Sequence, residues 1–124
     1  MKAMVILADA NGGTLELRDV PQPQPGPGEL LVRVKATALN RADLAQRRGT
    51  YPRPATGSAQ SPEVIAGLEA TGEVAGWGSE GSGFAPGDRV MAMCAGGYAE
   101  FVSVDHRLAV RVPERLSWEE AATI

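Results

Sequence analysis

Glu29-Leu30-Leu31-Val32-Arg33-Val34-Lys35-Ala36-Thr37-Ala38-Leu39 is the stretch that decides the fold. Leu31, Arg33 and Lys35 fall on one side of an alternating pattern, and Leu30, Val32, Val34 and Ala36 on the other. A period of two sends successive side chains to opposite faces, so the stretch predicts a strand with one buried face. Directly after it the period changes. Ala42, Ala45 and Gln46 favour a helix over 40–48, with Asn40 suited to its N-cap and Gly49 to its end.

Upstream, the apolar run from Lys2 to Ala8 meets Asn11-Gly12-Gly13, and Thr14 to Val20 alternates again, which predicts a hairpin. Pro21 to Gly28 carries prolines at 21, 23, 25 and 27 and predicts an extended connection, because proline has no amide to give a ladder. Downstream, Tyr51 to Pro62 predicts a long loop and Ser79 to Gly83 a flexible tip. Glycines 67, 72 and 76 within Val64–Trp77 predict bulges or close backbone approaches in a strand. A turn at Phe84 to Asp88 leads into a strand over Arg89–Met93. Two further strands are predicted over Gly97–Val104 and Leu108–Val112, with a turn at Asp105-His106. Ser117-Trp118-Glu119-Glu120 fits a capping box that opens a helix. So much cap ahead of Ile124 suggests a piece of a longer protein; a short helix docked on the barrel is the alternative.

Composition narrows the function. The chain has 124 residues, 12 basic against 15 acidic, a net charge of -3, and 15 glycines and 9 prolines. One domain is expected, and bulk charge does not point to nucleic acid. Cys94, the single cysteine, excludes an internal disulfide and a multi-cysteine zinc site. No apolar run approaches the ~18 residues of a membrane helix, and Met1-Lys2-Ala3-Met4 opens without a signal-peptide pattern. A cytoplasmic setting is the expectation. Arg41, Arg47, Arg48 and Arg53 form the one local basic group, which reads as a solvated helix face or as an attractor of an anionic cofactor or substrate.

Three ordered segments resemble the medium-chain dehydrogenase/reductase superfamily in its zinc-independent quinone oxidoreductase branch. They are Ala38-Leu39-Asn40-Arg41-Ala42-Asp43-Leu44 with Arg48-Gly49-Thr50-Tyr51-Pro52, then Gly67-Leu68-Glu69-Ala70-Thr71-Gly72-Glu73-Val74, then Phe84-Ala85-Pro86-Gly87-Asp88-Arg89-Val90 running into Gly96-Gly97-Tyr98-Ala99-Glu100-Phe101. The run Asn40-Arg41-Ala42-Asp43-Leu44 is similar to the p53-inducible quinone oxidoreductase type. The resemblance implies a mainly β chain, a GroES-like and partly open β-barrel with short helices. Residues 1–124 would be the catalytic, substrate-binding domain, cut at the start of the helix that leads to a Rossmann domain, which is missing here.

For the site, the resemblance implies Asn40 where zinc-dependent relatives hold a cysteine and Leu68 where they hold a histidine, beside Glu69. An amide and an alkyl group are not zinc ligands, so no metal is expected. The four-cysteine structural lobe is absent after Val90. NADPH is the implied cofactor, with its main contacts outside this chain, and a quinone or activated alkene is the implied substrate. Asn40 is expected to face nicotinamide and substrate, with plain helix capping as an equal reading. Tyr51 is expected to touch substrate, and in a 2-enoyl or alkenal reductase it would be the acid. Asp43 reads as orienting a neighbour or balancing Arg47, Glu69 as pairing with Arg89 or another arginine, Cys94 as packing, and His106 as solvated. Tyr98 is a weak site candidate. A homodimer of the full-length protein is implied. A stand-alone binding module remains the reading from another class.

Overall fold

The computed structural model describes residues 1–52, 63–79 and 83–124. The loop beyond Pro52 and the tip at 80–82 lie outside the described residues. Seven strands and two short helices follow one another: β1 (Lys2–Leu7), β2 (Thr14–Asp19), β3 (Glu29–Ala36), α1 (Arg41–Arg47), β4 (Glu69–Trp77), β5 (Arg89–Met93), β6 (Phe101–Asp105), β7 (Ala109–Arg111) and α2 (Trp118–Ala122). β1 and β2 form the expected hairpin, and Gly12 and Gly13 take the positive φ angles of its turn. The other five strands form one sheet in the order β6-β3-β4-β5-β7. All the pairings are antiparallel. The described residues therefore contain no parallel βαβ unit of the Rossmann kind.

β3 lies inside this sheet, and its alternation is observed. Leu30 and Val32 are fully buried, whereas Arg33 and Lys35 are exposed. Leu30 and Val32 pack with Ala70, Val74, Val90, Ala92, Val102 and Val104 in the main core. A second cluster of Ala3, Val5, Val20 and Ile65 sits under the hairpin. Single bridges, Ala3 to Ala99 and Val5 to Ile65, join the two sheets. The barrel is thus incompletely closed, as expected.

The β3–β4 register shifts twice, between Leu31 and Val32 and between Val34 and Ala36. Gly72 faces Val34 there, and a Cβ on it would stand 2.9 Å from Val32 Cγ1 and against the Arg33 carbonyl. Close approach thus explains this glycine.

Three expected strands are shorter than their patterns. Residues 64–68 precede β4 as a connector that bonds sideways, with Val64 accepting from Ile6 N and Ala66 donating to Met4 O. Residues 96–100 precede β6 in the same way: Tyr98 N donates to Ala66 O, and Tyr98 O accepts from Met4 N. Local alternation carries no sign that these amides serve as cross-links between sheets. After β6 a 3-10 turn over His106–Leu108 replaces the start of the last strand. His106 is not simply solvated: its Nδ1 lies 2.7 Å from Gly28 O, so Nδ1 carries the proton and ties this turn to the Pro-rich connection.

At the other end, the Ser117 capping box is present, with Ser117 Oγ accepting from Glu120 N at 3.1 Å. α2 docks through buried Ala121 and Ala122. Arg89 fixes the approach: its guanidinium donates to Leu116 O at 2.7 Å and lies 4.2 Å from the centre of the Trp118 ring. Among the described residues no helix is long and apolar enough to cross a membrane.

Candidate functional site

α1 leaves β3 by way of Asn40, whose extended backbone makes it the N-cap. Asn40 Oδ1 accepts from Ala42 N at 2.9 Å, and Asp43 Oδ2 accepts from Asn40 N at 2.6 Å. The capping box is therefore closed. Oδ1 faces the Ala42 N–H, so Nδ2 is the donor end of the amide, and the Asn40 side chain acts on the nearby Glu69 carboxylate. Glu69 opens β4, and Thr37 Oγ1 donates to its carbonyl at 2.7 Å.

Tyr98 completes the group from the connector before β6. Its hydroxyl donates to Asp43 Oδ2 at 2.5 Å and stands 3.1 Å from Ala38 O. Gly67 is the reason the ring fits. Its φ is +101°, and an added Cβ would stand 2.6 Å from Tyr98 Cδ1. Gly67 N also donates to Gln46 Oε1 at 2.9 Å, which binds the connector to α1.

Two carboxylates share this junction, and the protonation states show it. Burial first, and then the charge of Asp43, pushes the Glu69 carboxyl up, while the neighbouring Asn40 amide opposes that rise. Tyr98 is raised above the ordinary phenol range by burial and by its bond to Asp43. The Cys94 thiol is pushed up to about 12 by burial and by Glu69, and Cys94 packs on the main core. It is a packing group and no thiolate nucleophile.

Asn40 and Glu69 line a pocket of about 490 Å³ whose walls include Leu39, Met91, Met93 and Val110. Leu39 is 90% exposed and Ile124 81%. Leu39, Met93, Leu108, Val110 and Ile124, all exposed, line this pocket as an apolar patch, while Val112 is buried. Tyr51 lines a different pocket, beyond the C-terminal end of α1, with Arg47 and Arg48. Among the described residues, then, the two expected site residues are not brought together.

Three pairings differ from expectation. Glu69 makes no ion pair with Arg89, which is held by the carbonyls of Pro113, Glu114 and Leu116; the neighbouring Asn40 amide acts on Glu69 instead. Asp43 makes no ion pair with Arg47; its Oδ1 and Arg47 Nε are both buried without a hydrogen-bond partner. Tyr98, only a weak candidate from the sequence, is the hub of the junction. Its sequence signal is confined to the Gly96-Gly97-Tyr98 run. Among the described residues, no three His, Cys, Asp or Glu side chains form a metal-binding group.

Residues 26–114 match the alcohol dehydrogenase GroES-like domain. This chain belongs to that family. The GroES-like domain is superposable on a mycobacterial protein in complex with NADPH at a TM-score of 0.86, with 33% identity over 100% of this chain and 37% of that one. A quinone oxidoreductase from Thermus thermophilus, also solved with NADPH, gives 0.75, with 37% identity over 100% of this chain and 36% of that one. Among curated relatives, an acryloyl-coenzyme A reductase of Metallosphaera sedula is 38% identical over 93 residues, 75% of this chain and 26% of that protein. The chain thus spans little more than a third of each of these structures and about a quarter of the reductase. These neighbours place the domain in the medium-chain dehydrogenase/reductase superfamily, on its quinone oxidoreductase-like branch.

Proposed function

We propose that this domain forms the acceptor-binding half of an NADPH-dependent quinone oxidoreductase, within a longer protein whose cofactor domain follows it. The observation that carries the reading is the Asn40 amide, fixed through Oδ1 at the head of α1 beside Glu69 and an apolar-walled pocket. NADPH, when bound, supplies the hydride. Asn40 does the local work. With Oδ1 taken by Ala42 N, Nδ2 is the end available to a quinone oxygen or the nicotinamide amide, beside Glu69. A quinone is electrophilic in itself and needs orientation together with a donor for the developing anion. Leu39, Met91 and Met93 supply apolar surface for a flat ring.

The residues do not fit zinc. Asn40, Leu68 and Glu69 offer one amide, one alkyl group and one carboxylate, and zinc sites use thiolate and imidazole. No step runs through a metal, and the exposed apolar patch beside the pocket suits burial against the cofactor domain. A homodimer of the full-length protein belongs to the same proposal.

The test is turnover of the full-length protein. NADPH oxidation with a benzoquinone should be unaffected by EDTA and should fall about 10²-fold or more in Asn40→Ala, the range lost when a developing charge loses one donor. Turnover abolished by EDTA, or unchanged in Asn40→Ala, sinks the reading. An intact mass of 13.0 kDa for the native protein would sink it as well, because this chain alone holds half a cleft.

The acryloyl-coenzyme A reductase relative favours one second reading, a 2-enoyl or alkenal reductase with Tyr51 as proton donor. Tyr51→Phe should then lower enoyl reduction roughly 10²-fold and spare quinone reduction. Equal, small losses on both substrates remove Tyr51 from the chemistry.

A further inference from the structure

The pocket beyond the C-terminal end of α1 measures about 210 Å³ and has a chemistry of its own. Ile6, Val64, Ile65 and the ring of Tyr51 give it an apolar body, and Arg47 and Arg48 line it as well. Asp9 is the acidic residue among the described lining, and its Oδ1 is already taken by Asn11 N at 2.7 Å and Gly13 N at 3.0 Å. Neither Arg47 nor Arg48 has an ion-pair partner among the described residues, although Arg18, Arg107 and Arg111 each have one.

The pocket is built rather than left over. A Cβ on Gly12 would stand 3.2 Å from Arg48 Cγ, and one on Gly13 would strike the Arg47 carbonyl, so the β1–β2 turn is locked onto the end of the helix. Arg47 Nε is shielded and has no acceptor. A buried donor without a partner is costly, and Arg47 and Arg48, which line the pocket, offer planar forks that suit a planar anion.

We propose that this pocket binds a small amphipathic carboxylate, with its apolar body against Ile6, Val64, Ile65 and Tyr51 and its carboxylate on Arg47 and Arg48. Among the described lining, two guanidiniums against Asp9 leave an excess of one positive charge, which matches a monoanion better than a dianionic phosphate. The planar fork of arginine also fits a carboxylate in two places at once. This site sits at the opposite end of α1 from Asn40, and binding is read without any hydride transfer, so its failure is distinct from failure of the quinone reading.

The experiment is a titration of the ¹⁵N-labelled 124-residue chain with benzoate, benzamide and inorganic phosphate, followed by amide chemical shifts. Benzoate should move Gly12, Gly13, Gly49 and Ala95 saturably, and benzamide should bind roughly tenfold more weakly or worse, as a lost charged hydrogen bond implies. Arg48→Gln should weaken benzoate by a similar factor and leave benzamide unchanged. Equal binding of benzoate and benzamide overturns the proposal, and so does a benzoate response centred on Asn40 and Glu69, or none at all. Phosphate binding as tightly as benzoate at the same amides shows a site that reads charge alone, which also overturns it. The benzoate–benzamide comparison uses the unaltered chain and does not depend on a variant folding.

Discussion

The two ends of α1 are built on opposite principles. At the N-terminal end, Asn40 and Asp43 close the cap of α1 on each other and Tyr98 bonds Asp43 from another element, with Glu69 beside them. At the C-terminal end, Arg47 and Arg48 stand in a pocket without a carboxylate partner among the described residues. Seven residues separate them, about 10 Å of helix. A hydrogen-bonded network holds its members in one geometry and resists change, even with Asp43 Oδ1 left unpartnered. An unsatisfied cationic pocket contributes little to stability and keeps its donors available. Rigid orientation at one end and unspent binding capacity at the other are therefore expected of the same helix.

The largest break in this contrast should come from Gly67→Ala. It forces a side chain into a left-handed backbone and onto the Tyr98 ring, so it should cost about 3 kcal/mol or more in denaturant unfolding. A cost below about 1 kcal/mol would mean that the ring is not fixed there. Tyr98→Phe comes next. It removes one hydrogen bond to a carboxylate while Asn40 N still satisfies Asp43, so a loss of about 1 to 2 kcal/mol is expected.

Glu69→Gln sharpens the contrast through pH. The folded-state pKa of Glu69 is raised, so the folded protein holds this proton more tightly than the unfolded chain does. Stability should therefore fall as pH rises from the ordinary glutamate value of 4.5 through the raised one. In Glu69→Gln that component of the pH dependence should disappear, and a pH–stability curve identical to that of the parent would refute the assignment. Arg48→Gln should be the smallest change, within about 0.5 kcal/mol in thermal unfolding, as for a side chain without a partner.

Signals in the sequence are legible where the physics is local. The β3 alternation, the Gly12-Gly13 turn, the Asn40 cap, the positive φ of Gly49 and the Ser117 capping box each depend on neighbours a few residues away. The candidate site is legible in part. Residue chemistry points to Asn40 and Glu69, but it offers Glu69 the wrong partner and gives Tyr98 too little weight. Tyr98 and Asp43 are 55 residues apart, and only the packing of Gly67 beneath the ring brings them together. Spacing along a chain carries no record of such a meeting. Asp43 and Arg47 show the converse: a favourable i,i+4 spacing yields no ion pair when the carboxylate is already engaged by Tyr98 and Asn40.

β7 has a consequence for solubility. It is three residues long and, among the described residues, pairs on one side only, with β5. Arg111 closes this strand, donating to Asp88 Oδ2 at 3.0 Å and to Gly83 O at 2.8 Å while its guanidinium lies over the Phe84 ring. A short border ending in a tethered cation is a poor template for another chain's strand. With Leu108 and Val110 exposed beside it, that border guards the sheet against growing from molecule to molecule.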